Sequence, residues 1–194
     1  MSRMLMLSGS QRRESFNSRL LSHVAGRLPG YLSVDSLEFR DCDLPMFNQD
    51  LETDAPTVER VVALHQRVLR ADGLIVASPE YNCLPTPYLK NVVDWISRLP
   101  RIDPKIQNAF HGLPVLLCSA STGWSGGVSG LTSARTLFSC LGAIVVGEQI
   151  SVAQADKCWT GDRYRFGPAI EDHIGAVLER FAMFTGNQAL AKVI

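Results

Sequence analysis

Five short apolar runs alternate with longer amphipathic segments along this chain, and this alternation limits the fold more than any other feature. The strand-like runs are residues 4–7, 32–37, 74–77, 115–118 and 143–146. The helix-like segments are residues 16–28, 58–71, 88–96, 131–140 and 170–184. Because right-handed crossovers place helices on both faces of a parallel sheet, five such units predict an α/β fold with sheet order 2-1-3-4-5. An eight-fold barrel would need a longer chain than these 194 residues.

The helix predictions rest on the spacing of apolar side chains. In the last segment they recur with a 3.6-residue period, at Ile170, Ile174, Val177, Leu178 and Phe181. Residues 74–77 and 144–146 are apolar on both faces of the pleat, which predicts central strands covered by helices on each side. Pro56 and Pro87 fit the first turns of the second and third helices.

The bulk properties narrow the class of protein. A chain of 194 residues predicts a single domain spanning residues 1–194, since domains hold roughly 100–200 residues. The 19 basic residues equal the 19 acidic ones and form no stripe, so we expect no nucleic-acid partner. No run approaches the roughly 20 apolar residues of a membrane span, which predicts no membrane association and a cytoplasmic location.

The cysteines and histidines predict no metal site. The five cysteines form no C-x-x-C pair and have no companion histidine at zinc-finger spacing, so we expect reduced thiols. Cys118 and Cys140 lie in apolar runs and are predicted to be in the core. Cys83 follows a loop motif, where it is either a redox-active thiol or a packing residue at the rim of a pocket. The four histidines are scattered without paired ligand spacing.

The loop after the first strand, residues 8–17, is dense in hydroxyl groups and leads directly into a helix. A helix start offers free N–H groups, so hydroxyls and an arginine gathered there can bind a phosphate. N-capping by Ser15 or Asn17 would explain one hydroxyl, but not Ser8, Ser10 and Arg12 together. The loop lacks the glycine patterns for a triphosphate or a dinucleotide, which favours a single terminal phosphate.

Two further loops follow predicted strands at the same edge of the sheet. Residues 78–95 contain three closely spaced prolines beside Tyr81, which fits either a rigid platform for a planar ring or a plain proline-rich turn. Residues 119–127 are rich in serine and glycine, whose backbone can approach a ligand closely. Trp124 either stacks on a ring or covers the loop. Asp35, near the end of the second strand, is predicted to be a solvated acid.

Together the three loops resemble those of the NADPH-dependent FMN reductase family, a flavodoxin-like group that includes azo-dye, quinone and chromate reductases. The resemblance covers most of the chain, and three stretches carry it in order: Gly9-Ser10-x-Arg12-x-x-Ser15-x-Asn17, then Pro79-Glu80-Tyr81-Asn82 with Leu89-Lys90-Asn91 and Asp94-Trp95, then the loop from Ser119. It implies a flavodoxin-like three-layer sandwich that assembles as a homodimer or homotetramer.

The resemblance also implies site residues. The FMN phosphate would be bound by Ser10, Arg12, Ser15 and Asn17. The ribityl chain and flavin edge would contact Pro79, Glu80, Tyr81 and Asn82. The third loop would contribute Ser119, Ser121, Thr122 and Gly123. The chain departs from the family at Cys83, Leu84 and Pro87, where small residues and a glycine are usual.

The implied activity is the transfer of a hydride from NADPH or NADH through FMN to a small acceptor: a quinone, an azo compound, a metal oxyanion or free flavin. No catalytic side chain is predicted, because the cofactor supplies the chemistry. One alternative is a flavodoxin-type electron carrier, although such carriers are usually strongly acidic. A remote one is a serine hydrolase, because residues 123–127 match G-x-S-x-G around Ser125, with Asp156, Asp162 and His173 following in order.

Overall fold

The computed structural model describes residues 2–160 and 163–191. The strands are β1 (Arg3–Ser8), β2 (Ser33–Leu37), β3 (Gly73–Ala77), β4 (Glu80–Tyr81), β5 (Leu84–Pro85), β6 (Pro114–Ala120), β7 (Ile144–Val152), β8 (Trp159–Thr160) and β9 (Arg163–Tyr164). The α-helices are α1 (Phe16–Arg27), α2 (Ala55–Leu69), α3 (Pro87–Ile102), α4 (Val128–Cys140) and α5 (Pro168–Ala191). Within the described ranges, no helix combines the length and apolar content needed to cross a bilayer.

Five parallel strands form the central sheet in the order β2-β1-β3-β6-β7. Numbered by their sequence among these five strands, this is the predicted order 2-1-3-4-5, which is therefore confirmed. Strand β3 lies at the centre, and all five of its residues are buried. The loops after β1, β3 and β6 consequently emerge side by side at the carboxyl edge of the sheet.

Helices cover both faces of the sheet, as predicted. One core lies under α2, α3 and α4 and includes Trp95, Phe110 and Phe138. The other lies under α1 and α5 and includes Leu20 and Phe181. Because alternate strand residues point to opposite faces, neighbouring residues of one strand belong to different cores.

Strand β7 was predicted to be central at residues 144–146, and this prediction is wrong. It lies at the edge of the sheet, where Ile144 is 39% exposed. The pairing of β7 with β6 shifts between Val115 and Leu117, so that β7 bulges outward there. Arg135 of α4 donates to the carbonyls of Val145 and Val146 at 3.3 and 2.7 Å, which covers the exposed backbone of the bulge.

The helix starts agree with the sequence. Asp54 caps α2 by accepting from the Thr57 N–H at 3.1 Å, and Pro56 lies in the first turn. Thr86 caps α3, and Pro87 is the first residue of that helix. Both prolines lie in the first turn of a helix, where a backbone N–H would have no acceptor within the helix.

Two 3₁₀ helices, Phe39–Asp41 and Gln49–Thr53, interrupt the segment between β2 and α2 and were not predicted. Asn91 and Trp95 of α3 hold this segment in place. The Asn91 Oδ1 accepts from the Phe47 N–H at 2.6 Å, and the Trp95 Nε1 donates to the Pro45 carbonyl at 2.8 Å. Two side chains of the sequence motif in α3 therefore position a neighbouring loop.

Two predictions about single side chains need correction. Cys118 is buried as predicted, and burial raises the pKa of its thiol to about 12, but Cys140 is exposed at the end of α4. Asp35 is not a solvated acid, because it pairs with Arg3 at 2.6 Å and with Arg67 at 2.5 Å. The Arg67 hydrogen bond is the main cause that lowers the pKa of Asp35.

Candidate functional site

The three predicted loops meet in one cleft at the carboxyl edge of the sheet. This cleft has a volume of about 150 Å³, and we call it the three-loop cleft. Its lining comes from the loops after β1, β3 and β6: Ser10, Arg12, Ser15, Phe16, Asn17, Pro79, Glu80, Tyr81, Ala120, Ser121 and Thr122. Asn82, Ser119 and Gly123 were predicted to take part but do not line it.

The first loop ends in a helix start suited to an anion. The buried Ser15 hydroxyl caps α1 by accepting from the Ser18 N–H at 3.2 Å, and the first turn of α1 contains no acidic residue. The exposed Arg12 lines the cleft beside it. Free helical N–H groups, a capping hydroxyl and a guanidinium together favour a phosphate. Ser8 instead turns toward α1, with its hydroxyl 2.8 Å from that of Ser18.

Asn17 ties the first loop to the third. Its Nδ2 donates to the Ala120 carbonyl at 2.9 Å, and its Oδ1 accepts from the Ala120 N–H at 2.9 Å. The side chain is only 2% exposed. Because both polar ends of the amide are engaged by backbone, this side chain positions the cleft wall, a role that the sequence did not reveal.

The second loop is a tight β-hairpin formed by β4 and β5. Its two turn residues, Asn82 and Cys83, have φ values of 53° and 65°, as a type I′ turn requires. The Ser133 hydroxyl donates to the Cys83 carbonyl at 2.9 Å and docks the hairpin tip on α4. Asn82 therefore lies at the tip rather than in the cleft, and Cys83 is exposed there.

Glu80 joins the second loop to the start of α4. Its Oε2 accepts from the Gly130 N–H at 2.8 Å, so the carboxylate lies at the positive end of that helix. The backbone of α4 comes very close here, because a Cβ on Gly130 would lie 3.0 Å from the Glu80 Cβ. The carboxylate therefore has a partner, while Pro79 and Tyr81 face the cleft beside it.

The third loop presents backbone and small side chains to the cleft. Ser121 accepts from the Gly123 N–H at 3.1 Å, which curls the loop back on itself. Ser119 lies inside the protein with 0% exposure, and a Cβ on Gly127 would overlap its hydroxyl oxygen. Ser119 therefore supports the loop from below. Trp124 is 87% exposed and covers nothing.

Thr86 and Gly9 are structural residues of the site that the sequence analysis missed. The Thr86 hydroxyl donates to the Gly9 carbonyl at 2.5 Å while it accepts from the Leu89 N–H at 3.1 Å. A Cβ on Gly9 would lie 2.7 Å from the Ser78 Oγ, so this close approach of two loops requires glycine. The Thr-Pro pair signals a helix cap, but not the contact with a loop 77 residues away.

The geometry argues against a hydrolase built on Ser125. A nucleophile elbow places its serine directly at the end of a strand, whereas Ser125 follows the end of β6 by five residues. His173 lies on α5, and its Nε2 is 3.4 Å from the carbonyl of Gln149 in β7. Asp162 lies outside the described residues.

Residues 2–157 match the model of a family described as NADPH-dependent FMN reductase. The chain is 37% identical over 118 residues to the 2-hydroxy-1,4-benzoquinone reductase of Burkholderia sp, covering 61% of this chain and 60% of that protein. It is 31% identical over 140 residues to a quinone reductase of Escherichia coli K12, and the match covers 72% of this chain and 71% of that protein.

Solved structures share the fold. The flavoenzyme FerB, an NAD(P)H:(acceptor) oxidoreductase from Paracoccus denitrificans, superposes with a TM-score of 0.82 at 23% identity, covering 96% of this chain and 98% of that one. An NADH:FMN oxidoreductase in its apo form superposes with a TM-score of 0.68 at 17% identity, covering 94% of this chain and 89% of that one. The predicted flavodoxin-like architecture is confirmed.

Proposed function

This chain belongs to the NADPH-dependent FMN reductase family, and on that premise we propose that it binds FMN in the three-loop cleft and oxidises NAD(P)H. The electrons pass to a small acceptor. A quinone is the first candidate, because several relatives are named quinone reductases; an azo compound, a metal oxyanion or free flavin are the others. The observation that carries the proposal is the convergence of three strand-end loops on one cleft.

The residues present fit the phosphate end of FMN. The first turn of α1 has no acidic side chain, and Glu14, just before the cap, pairs with Arg19. Ser15 keeps its hydroxyl proton for donation, and Arg12 supplies the positive charge. Ser10 adds a second hydroxyl to the same wall. A dianion at this point gains donors from one helix end without displacing any acid.

The three-loop cleft is too small to enclose the whole of FMN. Sites that enclose a whole drug-sized ligand have volumes of about 300–1,000 Å³, whereas the three-loop cleft has about 150 Å³. The cleft would hold the phosphate and part of the ribityl chain, and the hairpin and the third loop would support the flavin ring. Tyr81 of the hairpin is 50% exposed, and Trp124 of the third loop is exposed as well.

When bound, FMN supplies the redox chemistry by accepting a hydride from the nicotinamide and returning two electrons to the acceptor. The protein would position the ring and cover one of its two faces. We assign the backbone N–H groups of the loops around Asn82 and Thr122 to hydrogen bonds with the ring edge, where negative charge collects on reduction. No acid or base side chain is required, and we assign none.

A second copy of the chain is the proposed cover for this surface. Leu84 is 56% exposed on the hairpin, where it pairs with the exposed Tyr81, and Val128 is 42% exposed at the start of α4. We expect a homodimer or homotetramer, with the molar mass measured by light scattering after gel filtration. Leu84→Glu should shift the mass toward the monomer, and a wild-type protein that is monomeric would contradict the assignment.

The electron donor is made inside cells, so we assign the activity to the cytoplasm.

A visible spectrum of the purified protein tests the cofactor. A yellow protein that releases FMN, identified by its mass, and that consumes NADPH steadily with benzoquinone supports the proposal. An electron carrier would be yellow but would not consume NADPH, and the chain lacks the acidity usual for such carriers, having 19 acidic and 19 basic residues. A colourless protein that also refuses added FMN would reject both.

A further inference from the structure

A second and larger cavity lies on the other side of the first loop, between α1 and the segment that follows β2. Its volume is about 830 Å³, within the range of about 300–1,000 Å³ that holds small molecules. We call it the β2 groove. Ser10 and Arg12 line both the β2 groove and the three-loop cleft, so the first loop is a shared wall. A ligand longer than FMN can therefore cross this wall and contact both sites.

Two cations face the β2 groove. Arg12 and Arg13 both line it, and both are exposed. Within residues 2–160 and 163–191, neither guanidinium forms an ion pair. Arg13 does not line the three-loop cleft, so it remains available to a phosphate in the β2 groove when Arg12 is engaged by FMN.

The acidic charge in the β2 groove is already engaged. Glu38 supplies the carboxylate among the described lining residues, and it pairs with Arg40 at 2.9 Å. The backbone of Glu38 is held by Asp41, whose Oδ2 accepts from the Glu38 N–H at 2.8 Å. The pairing with Arg40 reduces the repulsion that the Glu38 carboxylate exerts on an anion bound at Arg13.

The wall opposite the arginines is aromatic. Phe39 and Tyr88 pack with their ring centroids 6.1 Å apart, and both line the β2 groove. Phe39 remains 50% exposed, so one side of its ring is available for contact. Purine bases stack on aromatic side chains, so the exposed face of Phe39 can contact one.

We propose that the β2 groove binds the adenosine half of NADPH, with Arg13 on the 2′-phosphate and the adenine against Phe39. This rests on the proposed function, because the nicotinamide end would have to reach a flavin ring held beside the three-loop cleft. Arg12, on the shared wall, is left to the FMN phosphate. NADH lacks the 2′-phosphate, so Arg13 selects NADPH over NADH.

Calorimetric titration with adenosine 2′,5′-bisphosphate and with AMP tests the groove directly. Excess FMN is present throughout, so that the nucleotides cannot occupy the phosphate end of the three-loop cleft. Arg13→Gln should raise the Kd of the bisphosphate about tenfold, the effect of one charge-assisted hydrogen bond, and leave the Kd of AMP unchanged. Phe39→Ala should weaken both nucleotides. Arg60→Gln, an exposed arginine of α2, is the matched control and should change neither.

The same variants are then compared in steady-state turnover with benzoquinone. Arg13→Gln should raise the KM for NADPH about tenfold while kcat and the KM for NADH stay unchanged. Equal affinity of the wild-type protein for the bisphosphate and AMP, or an Arg13→Gln variant that binds both as before, would overturn the assignment. Because the titration needs no turnover, intact bisphosphate binding without NADPH oxidation would reject the proposed function and retain the groove.

Discussion

The side-chain amide of Asn17 pairs with both backbone polar groups of Ala120, through two hydrogen bonds of 2.9 Å each. This pair joins the start of α1 to the end of β6, across 103 residues of sequence, and it forms the floor between the first and third loops. The orientation of the first loop relative to the third loop depends on it.

Asn17→Ala should leave the buried N–H and carbonyl of Ala120 without partners. An unsatisfied buried polar group costs about 1–3 kcal/mol, so we expect the free energy of unfolding to fall by about 2–3 kcal/mol and the melting temperature by several degrees. The Kd for FMN should rise as well, because the two loops lose their register. Urea unfolding and fluorescence titration measure the two effects. Gln66→Ala, on the exposed face of α2, is the control, and equal stabilities of the two variants would contradict this role.

Arg12→Gln should weaken FMN binding about tenfold by removing one charge-assisted hydrogen bond to the phosphate. Riboflavin has the same ring system and no phosphate, so its Kd should not change. The two ligands are compared by quenching of flavin fluorescence in the wild-type protein and the variant. A parallel loss of riboflavin affinity would show that Arg12 acts on the ring or on the fold instead.

Cys83→Gly should stabilise the protein. Cys83 holds a φ of 65°, a left-handed conformation that costs a non-glycine residue about 1–2 kcal/mol and that Asn-Gly turns adopt readily. After the greater backbone freedom of glycine in the unfolded chain is subtracted, we expect a net gain of about 0.5–1 kcal/mol in urea unfolding. Cys83→Val, which is branched at Cβ, should instead lose stability. The idea fails if the glycine variant is the less stable of the two.

Asp35 makes the stability depend on pH. Arg67, and to a lesser extent Arg3, hold the pKa of Asp35 below its ordinary value of 3.8 against the effect of burial. A lowered folded-state pKa stabilises the fold above the unfolded pKa, and this contribution disappears as the pH falls below about 4. Asp35→Asn should therefore cost about 1 kcal/mol at pH 7 and much less at pH 3. Asp172→Asn, an exposed acid of α5, is the control in the same urea series, and an equal loss for Asp35→Asn at both pH values would contradict the pairing.

The sheet order and the site's location followed from the sequence because they depend on local patterns. Five βα units fix which strands end at the same edge, and the loops after β1, β3 and β6 had to meet there. The predicted grouping of Ser10, Arg12 and Ser15 in one cleft followed because all three precede the start of α1.

The remaining features depend on contacts that no local pattern contains. Asn17 looked like a phosphate ligand because its partner, Ala120, is supplied by a distant strand. Cys140 looked buried because it follows apolar residues, yet it lies about 200° around the helix from the buried Phe138. Residues 144–146 are all apolar, which predicted a central strand. An edge strand can also be apolar where it packs against the core, and Ile144 of this one is 39% exposed.

The bulge in β7, with Arg135 bonded across its carbonyls, has a consequence for how copies of this protein can meet. A flat, bare outer strand would invite another chain to continue the ladder, which is the first step of fibril growth. Here the backbone acceptors at the bulge are already occupied and the strand is bent out of line. Another chain that tried to extend the sheet along this part of β7 would therefore find the carbonyls of Val145 and Val146 already bonded to Arg135.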